Sequence, residues 1–345
     1  MTAVSFQPGG ESEPRSTKPA VPEPAAPTRG WRRIAWWLVG AAFLALLVAG
    51  MWFAVRDQDW SVVTVVAERG DRRRIALLLA GGVLATAVGP LLGLLSWRAL
   101  VLDVAGSITN AQSVRLFFVN FFAKYLPVKG LALVVALRMA KTSGMPLARL
   151  FAAGALSLGV TVLTGLSVGL LAGPSAIGTR TGWLALALVP IAVVLRWPHL
   201  VNHAAGAALR VLRRSPPKGA VSARGLRVAV FWQVAAWVVA GLHLWLLAIA
   251  MNAPVWRSLA LCVGAYGLAT VVGLLVVVVP DGIGVRESVL MAALAAVLPV
   301  PAAAVVVLAS RLVTTVGEVA VGAVAFGAAE ASYRRSARES LNEAG

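Results

Sequence analysis

The chain has 345 residues, of which 59% are apolar and 13% are charged, and its mean hydropathy is +0.83. A soluble globular domain carries about a quarter charged residues and fewer than half apolar ones, so this composition excludes the soluble classes and predicts a polytopic membrane protein. We interpret the excess of 31 Lys and Arg over 14 Asp and Glu as charge that orients the chain in the membrane and contacts anionic lipid. Nucleic acid is not expected as a partner.

The amino-terminal segment, residues 1–30, differs from the rest of the chain. It contains six prolines among Ser, Thr, Glu and Ala and has no apolar face, which predicts a disordered tail. Arg29, Arg32 and Arg33 stand directly before the first apolar run, and basic residues at such a position are typical of the cytoplasmic side. We therefore expect the amino terminus to be cytoplasmic.

Apolar runs without charged residues, long enough to cross a bilayer, follow this tail and predict transmembrane helices. They are Ile34–Val55, Ile75–Trp97, Phe151–Gly173, Val228–Ala253 and Leu259–Pro280, with a shorter run at Thr181–Leu195. Runs of about 20 residues exclude barrel strands. The predicted fold is an all-α polytopic integral membrane protein with about 7–8 transmembrane helices.

Two segments do not fit a simple span and predict re-entrant or broken helices. Between Arg115 and Arg138 the apolar stretch is interrupted by Lys124, Pro127 and Lys129. The second segment, 280–287, reads Pro-Asp-Gly-Ile-Gly-Val-Arg-Glu and is followed by only about ten apolar residues.

The two broken segments lie 153 residues apart, as Pro127 and Pro280 show. The same offset relates the long apolar runs beside them. A weak internal repeat with interrupted helices at corresponding positions is typical of transporters. We predict one transmembrane domain over 31–328, with half-repeats of about 75–173 and 228–326, and a polar tail over 329–345. Between the halves, the loop 196–227 carries seven basic residues and no acid, so we expect it to be cytoplasmic. The side of the carboxyl tail stays open.

The broken segments carry a family resemblance. Lys124-Tyr125-Leu126-Pro127, with Lys129 and Arg138, and Gly282-Ile283-Gly284-Val285-Arg286-Glu287, with the later Arg311, resemble the flippase-like domain that forms the membrane part of lysylphosphatidylglycerol synthases. The similarity covers about 70–328. It implies the movement of an anionic, aminoacylated or polyprenyl-linked lipid, and the cytosolic aminoacyl-transfer domain of full synthases is expected to be absent.

The residues support a lipid headgroup site independently, because a charge in the bilayer costs at least about 2.5–3.5 kcal/mol and is a functional candidate wherever it remains. Arg311 and Glu318 lie seven residues apart in one apolar run, and therefore on one face of a helix. Two alternatives stay open for them, namely a buried Arg–Glu bridge between helices and participation in the headgroup site.

The glycine turn is the stronger candidate site. Gly282 and Gly284 permit unusual backbone conformations, and the amino end of the following helix offers N–H groups to an anion. Arg286 adds a fork suited to phosphate, and Glu287 either favours the helix start or pairs with a basic residue. Lys124, Lys129 and Arg138 would supply a matching basic lining in the first half. The alternative for 280–287 is an interfacial turn with charges that reach the membrane surface, and the alternative for the two lysines is that they only reach that surface.

The predicted function is membrane lipid translocation at the plasma membrane, with membrane lipids as the partners. We expect no enzymatic activity, cofactor or metal site, since no phosphate-cradling loop, nucleophile motif or ligand cluster is present in the sequence. The rival hypothesis is a non-catalytic membrane scaffold that recruits a glycosyltransferase or a lipid-modifying enzyme, with the loop 196–227 as its docking surface.

Overall fold

The computed structural model describes residues 56–57, 59–61, 71–106, 108–122, 147–172, 182–197, 199–200, 203, 221–276 and 282–342. These residues are almost entirely helical and contain no β-strand, which confirms the all-α prediction. The tail 1–30, the run Ile34–Val55, the residues Lys124, Lys129 and Arg138, and most of the basic loop lie outside this part of the chain.

The described part of the chain contains eight α-helices. They are α1 (Arg72–Ala105), α2 (Asn110–Phe122), α3 (Leu147–Gly169), α4 (Gly182–Arg196), α5 (Ala223–Ala250), α6 (Val255–Leu275), α7 (Val285–Leu294) and α8 (Val300–Asn342). Five of them, α1, α3, α5, α6 and α8, are long and apolar enough to cross a membrane. The predicted total of 7–8 crossings stays a prediction.

Two helices end or begin differently from the runs that predicted them. Helix α8 continues through most of the predicted polar tail, because apolar patterning marks the bilayer and not the end of a helix. Helix α5 begins at Ala223, within the predicted basic loop, where the Ser222 hydroxyl accepts a hydrogen bond from the Gly225 N–H at 2.9 Å.

Helices α1 and α5 pack against each other in an antiparallel pair. A Cβ on Gly89 would lie 3.0 Å from the Cβ of Ala240, so this glycine permits the close approach. Further along α1, the Ser96 hydroxyl donates to the Ala229 carbonyl oxygen at 2.8 Å. Contacts that advance along α1 while they move back along α5 define the antiparallel direction.

The buried apolar residues form two clusters that share α5. One cluster joins the first part of α5 to α1, α2 and α3. The other joins the second part of α5 to α6, α7 and α8. Helix α5 therefore connects both cores, and the cavity described below has walls from both groups of helices.

Candidate functional site

A cavity of about 510 Å³ is lined by seven of the eight described helices, all except α4. Gly89 and Pro90 of α1, Trp237 of α5 and Tyr266 of α6 lie on its wall, and each stands near the middle of its helix. The cavity therefore lies halfway along the membrane-spanning helices. Its wall is mostly apolar, with polar side chains contributed by Thr86, Asn120, Ser157, Thr161, Gln233, Thr270, Arg286 and Glu318.

Arg286 brings a positive charge to this wall from the first turn of α7. The residue is only 5% exposed, and its guanidinium carbon lies 5.1 Å from the centroid of the Tyr266 ring. This distance is that of a cation–π contact, which is strongest where water is excluded. A guanidinium held in an apolar cavity presents a fork of N–H donors that matches a phosphate.

The glycine turn before α7 fixes where Arg286 lies. Gly282 and Gly284 have φ angles of +63° and +85°, which residues other than glycine rarely adopt. A Cβ on Gly282 would lie 2.5 Å from the Cα of Gly273, so the turn is pressed against the backbone of α6. The sequence predicted special backbone geometry here, and the structure shows it at both glycines.

Glu287 holds the same turn from inside α7. Its Oε2 accepts a hydrogen bond from the Gly284 N–H at 2.6 Å, and its Oε1 lies 3.5 Å from Nη1 of Arg311 on α8. Both roles considered for this carboxylate are therefore present together. The sequence predicted that N–H groups of this turn bind an external anion. In the structure the Gly284 N–H donates to the Glu287 carboxylate instead.

Arg311 and Glu318 of α8 lie in different places. Glu318 is 5% exposed and lines the cavity. The neighbouring Gly317 packs against α1, where an added Cβ would lie 2.1 Å from the Thr86 hydroxyl oxygen. Arg311 pairs with Glu287 and is not among the described residues that line the cavity.

Of the nine predicted site residues, the structure thus brings Arg286 and Glu318 to one cavity, with Gly282, Gly284, Glu287 and Arg311 supporting the turn beside it. Lys124, Lys129 and Arg138 are outside the described residues.

Sequence reasoning missed most of the polar wall. Gln233 is buried within the long charge-free run of α5, and a buried amide in such a run was a signal that could have identified it. Asn120 of α2 carried a similar signal. Trp237 and Tyr266 carried none, because aromatic residues inside an apolar helix are usually packing residues.

Comparison with known proteins places the chain in one family. The family model described as "Lysylphosphatidylglycerol synthase TM region" matches residues 37–322, which is more than four fifths of the chain and includes every described residue of the cavity wall. No curated protein matches the chain.

Proposed function

We propose that this chain, which belongs to the lysylphosphatidylglycerol synthase TM region family, moves a phosphate-bearing lipid across the membrane. The lipid is anionic, aminoacylated or polyprenyl-linked. The family match makes the chain a multi-pass membrane protein. The observation that carries the proposal is the buried Arg286 side chain on the wall of a largely apolar cavity halfway along the spanning helices.

The cavity has the chemistry that a crossing headgroup needs. A phosphate leaves water at a high free-energy cost unless a charge and hydrogen bonds replace its hydration. Arg286 supplies the charge, and a guanidinium binds phosphate oxygens through two parallel N–H bonds. Polar side chains such as Asn120 and Gln233 replace water along the wall. The acyl or prenyl tails stay in the hydrocarbon while the headgroup passes.

Glu318 adds the opposite charge to the same cavity wall. A carboxylate there repels a bare anion and attracts an ammonium group, so it favours headgroups that carry an amine beside the phosphate. An aminoacylated lipid has this combination. Binding and movement of such a lipid require no bond to be made or broken, and we propose a transport protein and not an enzyme.

The basic residues of two segments indicate how the chain is oriented in the membrane. We propose that the chain resides in the plasma membrane with its amino terminus and the loop 196–227 in the cytoplasm, on the basis of the basic residues in both segments. The direction in which this orientation moves the lipid depends on the energy source.

The test is transport in proteoliposomes that contain a fluorescent phosphatidylglycerol, with dithionite added outside to quench the outer leaflet. We expect the purified chain to make inner-leaflet lipid accessible faster than in protein-free vesicles. Arg286→Gln should lower the rate about ten-fold or more, because hydrogen bonds to charged groups contribute about 1.5–3 kcal/mol. Arg224→Gln, which removes an exposed arginine at the start of α5, is the matched control.

Absence of transport above protein-free vesicles, tested with phosphatidylglycerol, lysylphosphatidylglycerol and a polyprenyl phosphate, would contradict the proposal. A second comparison uses cells in which the Arg286→Gln variant replaces the wild-type protein. If the purified chain moves no lipid and these cells behave like wild-type cells, the results would favour the scaffold that recruits a membrane enzyme.

A further inference from the structure

Tyr266 of α6 lies between two rings of α5, those of His243 and Trp237, and beside Arg286 of α7. Its ring meets the ring of His243 edge to face, with centroids 4.9 Å apart and planes at 82°. On another side it meets Trp237 at 6.1 Å and 65°. A ring face of Tyr266 is left for Arg286, whose guanidinium carbon lies 5.1 Å from the centroid.

His243 is itself held in one orientation. Its Nδ1 contacts the Ala240 carbonyl oxygen, which only accepts, so Nδ1 carries the proton and donates. In this neutral tautomer Nε2 accepts, and its partner is the Ser310 hydroxyl of α8 at 2.8 Å. The imidazole is fully buried and bonded at both nitrogens, which fixes its orientation beside Tyr266.

Trp237 is also anchored by a hydrogen bond to another helix. Its indole N–H donates to the Thr164 hydroxyl of α3 at 3.1 Å, and the residue is 6% exposed. The two neighbours of Tyr266 are therefore each bonded to a different helix. A ring clamped by two fixed rings has little freedom to turn away from the cavity.

The contact with a ring face suits an arginine that must bind a ligand. A cation–π contact uses the charge of the guanidinium and consumes none of its N–H donors. The neighbouring carboxylate, that of Glu287, is engaged by Gly284 and Arg311. We propose that Tyr266 is the positioning residue of the lipid site. Its ring face holds Arg286 at the cavity wall, and His243 and Trp237 hold the ring.

The inference rests on the proposed function only in the identity of the ligand, and its first test needs no lipid. Thermal unfolding in detergent is measured for the wild type, Tyr266→Leu, Arg286→Gln and the double variant. We expect the double variant to be less destabilised than the sum of the two single variants, because both remove the same contact. Additive shifts in melting temperature would overturn the inference. If Tyr266→Leu does not fold, Tyr266→Met takes its place.

The second test separates positioning from packing. Short-chain dioctanoyl phosphatidylglycerol is titrated against the detergent-solubilised protein, and the concentration that gives half of the thermal stabilisation is recorded. Tyr266→Leu should raise this concentration about ten-fold, the loss expected for a desolvated cation–π contact, whereas Tyr266→Phe keeps the ring and should stay within about two-fold. A packing role would change the melting temperature of the lipid-free protein and leave this concentration unchanged.

Failure of this inference and failure of the proposed function are distinguishable. Equal half-stabilising concentrations for Tyr266→Leu and the wild type, or equal impairment by Tyr266→Phe and Tyr266→Leu, would overturn the positioning role even if the wild type transports lipid. Coupling between Tyr266 and Arg286 with normal lipid binding but no transport in vesicles would retain the positioning role and reject translocation.

Discussion

Glu287 shows how a single carboxylate organises the neighbourhood of the cavity. One of its oxygens accepts from the Gly284 N–H and the other lies beside Arg311 of α8. The first contact fixes where α7 begins, and the second ties that start to α8, the longest of the described helices. Since Arg286 is the preceding residue, the position of its guanidinium depends on both contacts.

Replacing Glu287 separates the two contacts. Glu287→Ala should lower the free energy of unfolding by about 2–4 kcal/mol, because it removes a charge-assisted hydrogen bond and leaves Arg311 without this partner. Glu287→Gln keeps an oxygen for Gly284 and should cost only about 1 kcal/mol, since Arg311 has a quarter of its side chain exposed and is partly hydrated. Unfolding in detergent micelles measures both values. Equal losses in the two variants would refute the separation.

Replacement of Glu318 tests the selectivity of the cavity for headgroups that carry an amine. In proteoliposomes, Glu318→Gln should lower the rate for lysylphosphatidylglycerol about ten-fold or more, because one charge-assisted hydrogen bond of about 1.5–3 kcal/mol is lost. The rate for phosphatidylglycerol, which lacks the amine, should stay the same or rise. A parallel fall for both lipids would assign Glu318 a structural role.

The sequence identified those site residues that carry a charge, because burying a charge is costly. Arg286, Glu287, Arg311 and Glu318 stood out in the sequence because charges are expensive in a bilayer. The pairing of Arg311 with Glu287 across 24 residues did not, because it depends on how α7 lies against α8. Tyr266 was also unpredictable, since its role comes from three neighbours on other helices.

At the scale of elements, the sequence predicted the interruption before α7 but not how the turn packs against its neighbours. The glycine and proline pattern indicated a break and a short helix, and α7 is only ten residues long. The sequence did not show that the turn packs against Gly273 of α6, because that contact joins two elements. It explains why Gly282 must lack a side chain, whatever its φ angle.

Gly282→Ala tests this contact. The new methyl group would meet the backbone of α6 and the residue would keep a φ of +63°, so we expect a loss of about 2–4 kcal/mol in stability together with impaired transport. The matched control is Gly154→Ala on α3, where an added Cβ meets nothing within 4 Å. That change should be neutral or slightly stabilising, because alanine favours a helix over glycine. Similar losses at both positions would contradict the packing argument.

At the scale of the whole molecule, the packing of α1 against α5 agrees with two half-repeats that cross the membrane in opposite directions. Helices α1 and α5, which the offset of 153 residues relates, pack antiparallel, and α3 and α8 begin at positions 147 and 300. The half-repeat stays a prediction, yet this packing is what a two-fold axis in the membrane plane requires. Hydropathy could reveal the spacing of the helices but not which of them meet.

The orientation of the chain in the membrane is testable with its cysteine chemistry. The only cysteine, Cys262, is fully buried, so the unmodified chain should not react with a membrane-impermeant maleimide and serves as the control. Trp256→Cys, at an exposed position just beyond α5, should label in intact cells if the basic loop is cytoplasmic. His199→Cys, at an exposed position in that loop, should label only after permeabilisation, because α5 separates the two sites across the bilayer. Labelling of both variants in intact cells would contradict the spanning of α5, and the reverse pattern would invert the proposed orientation.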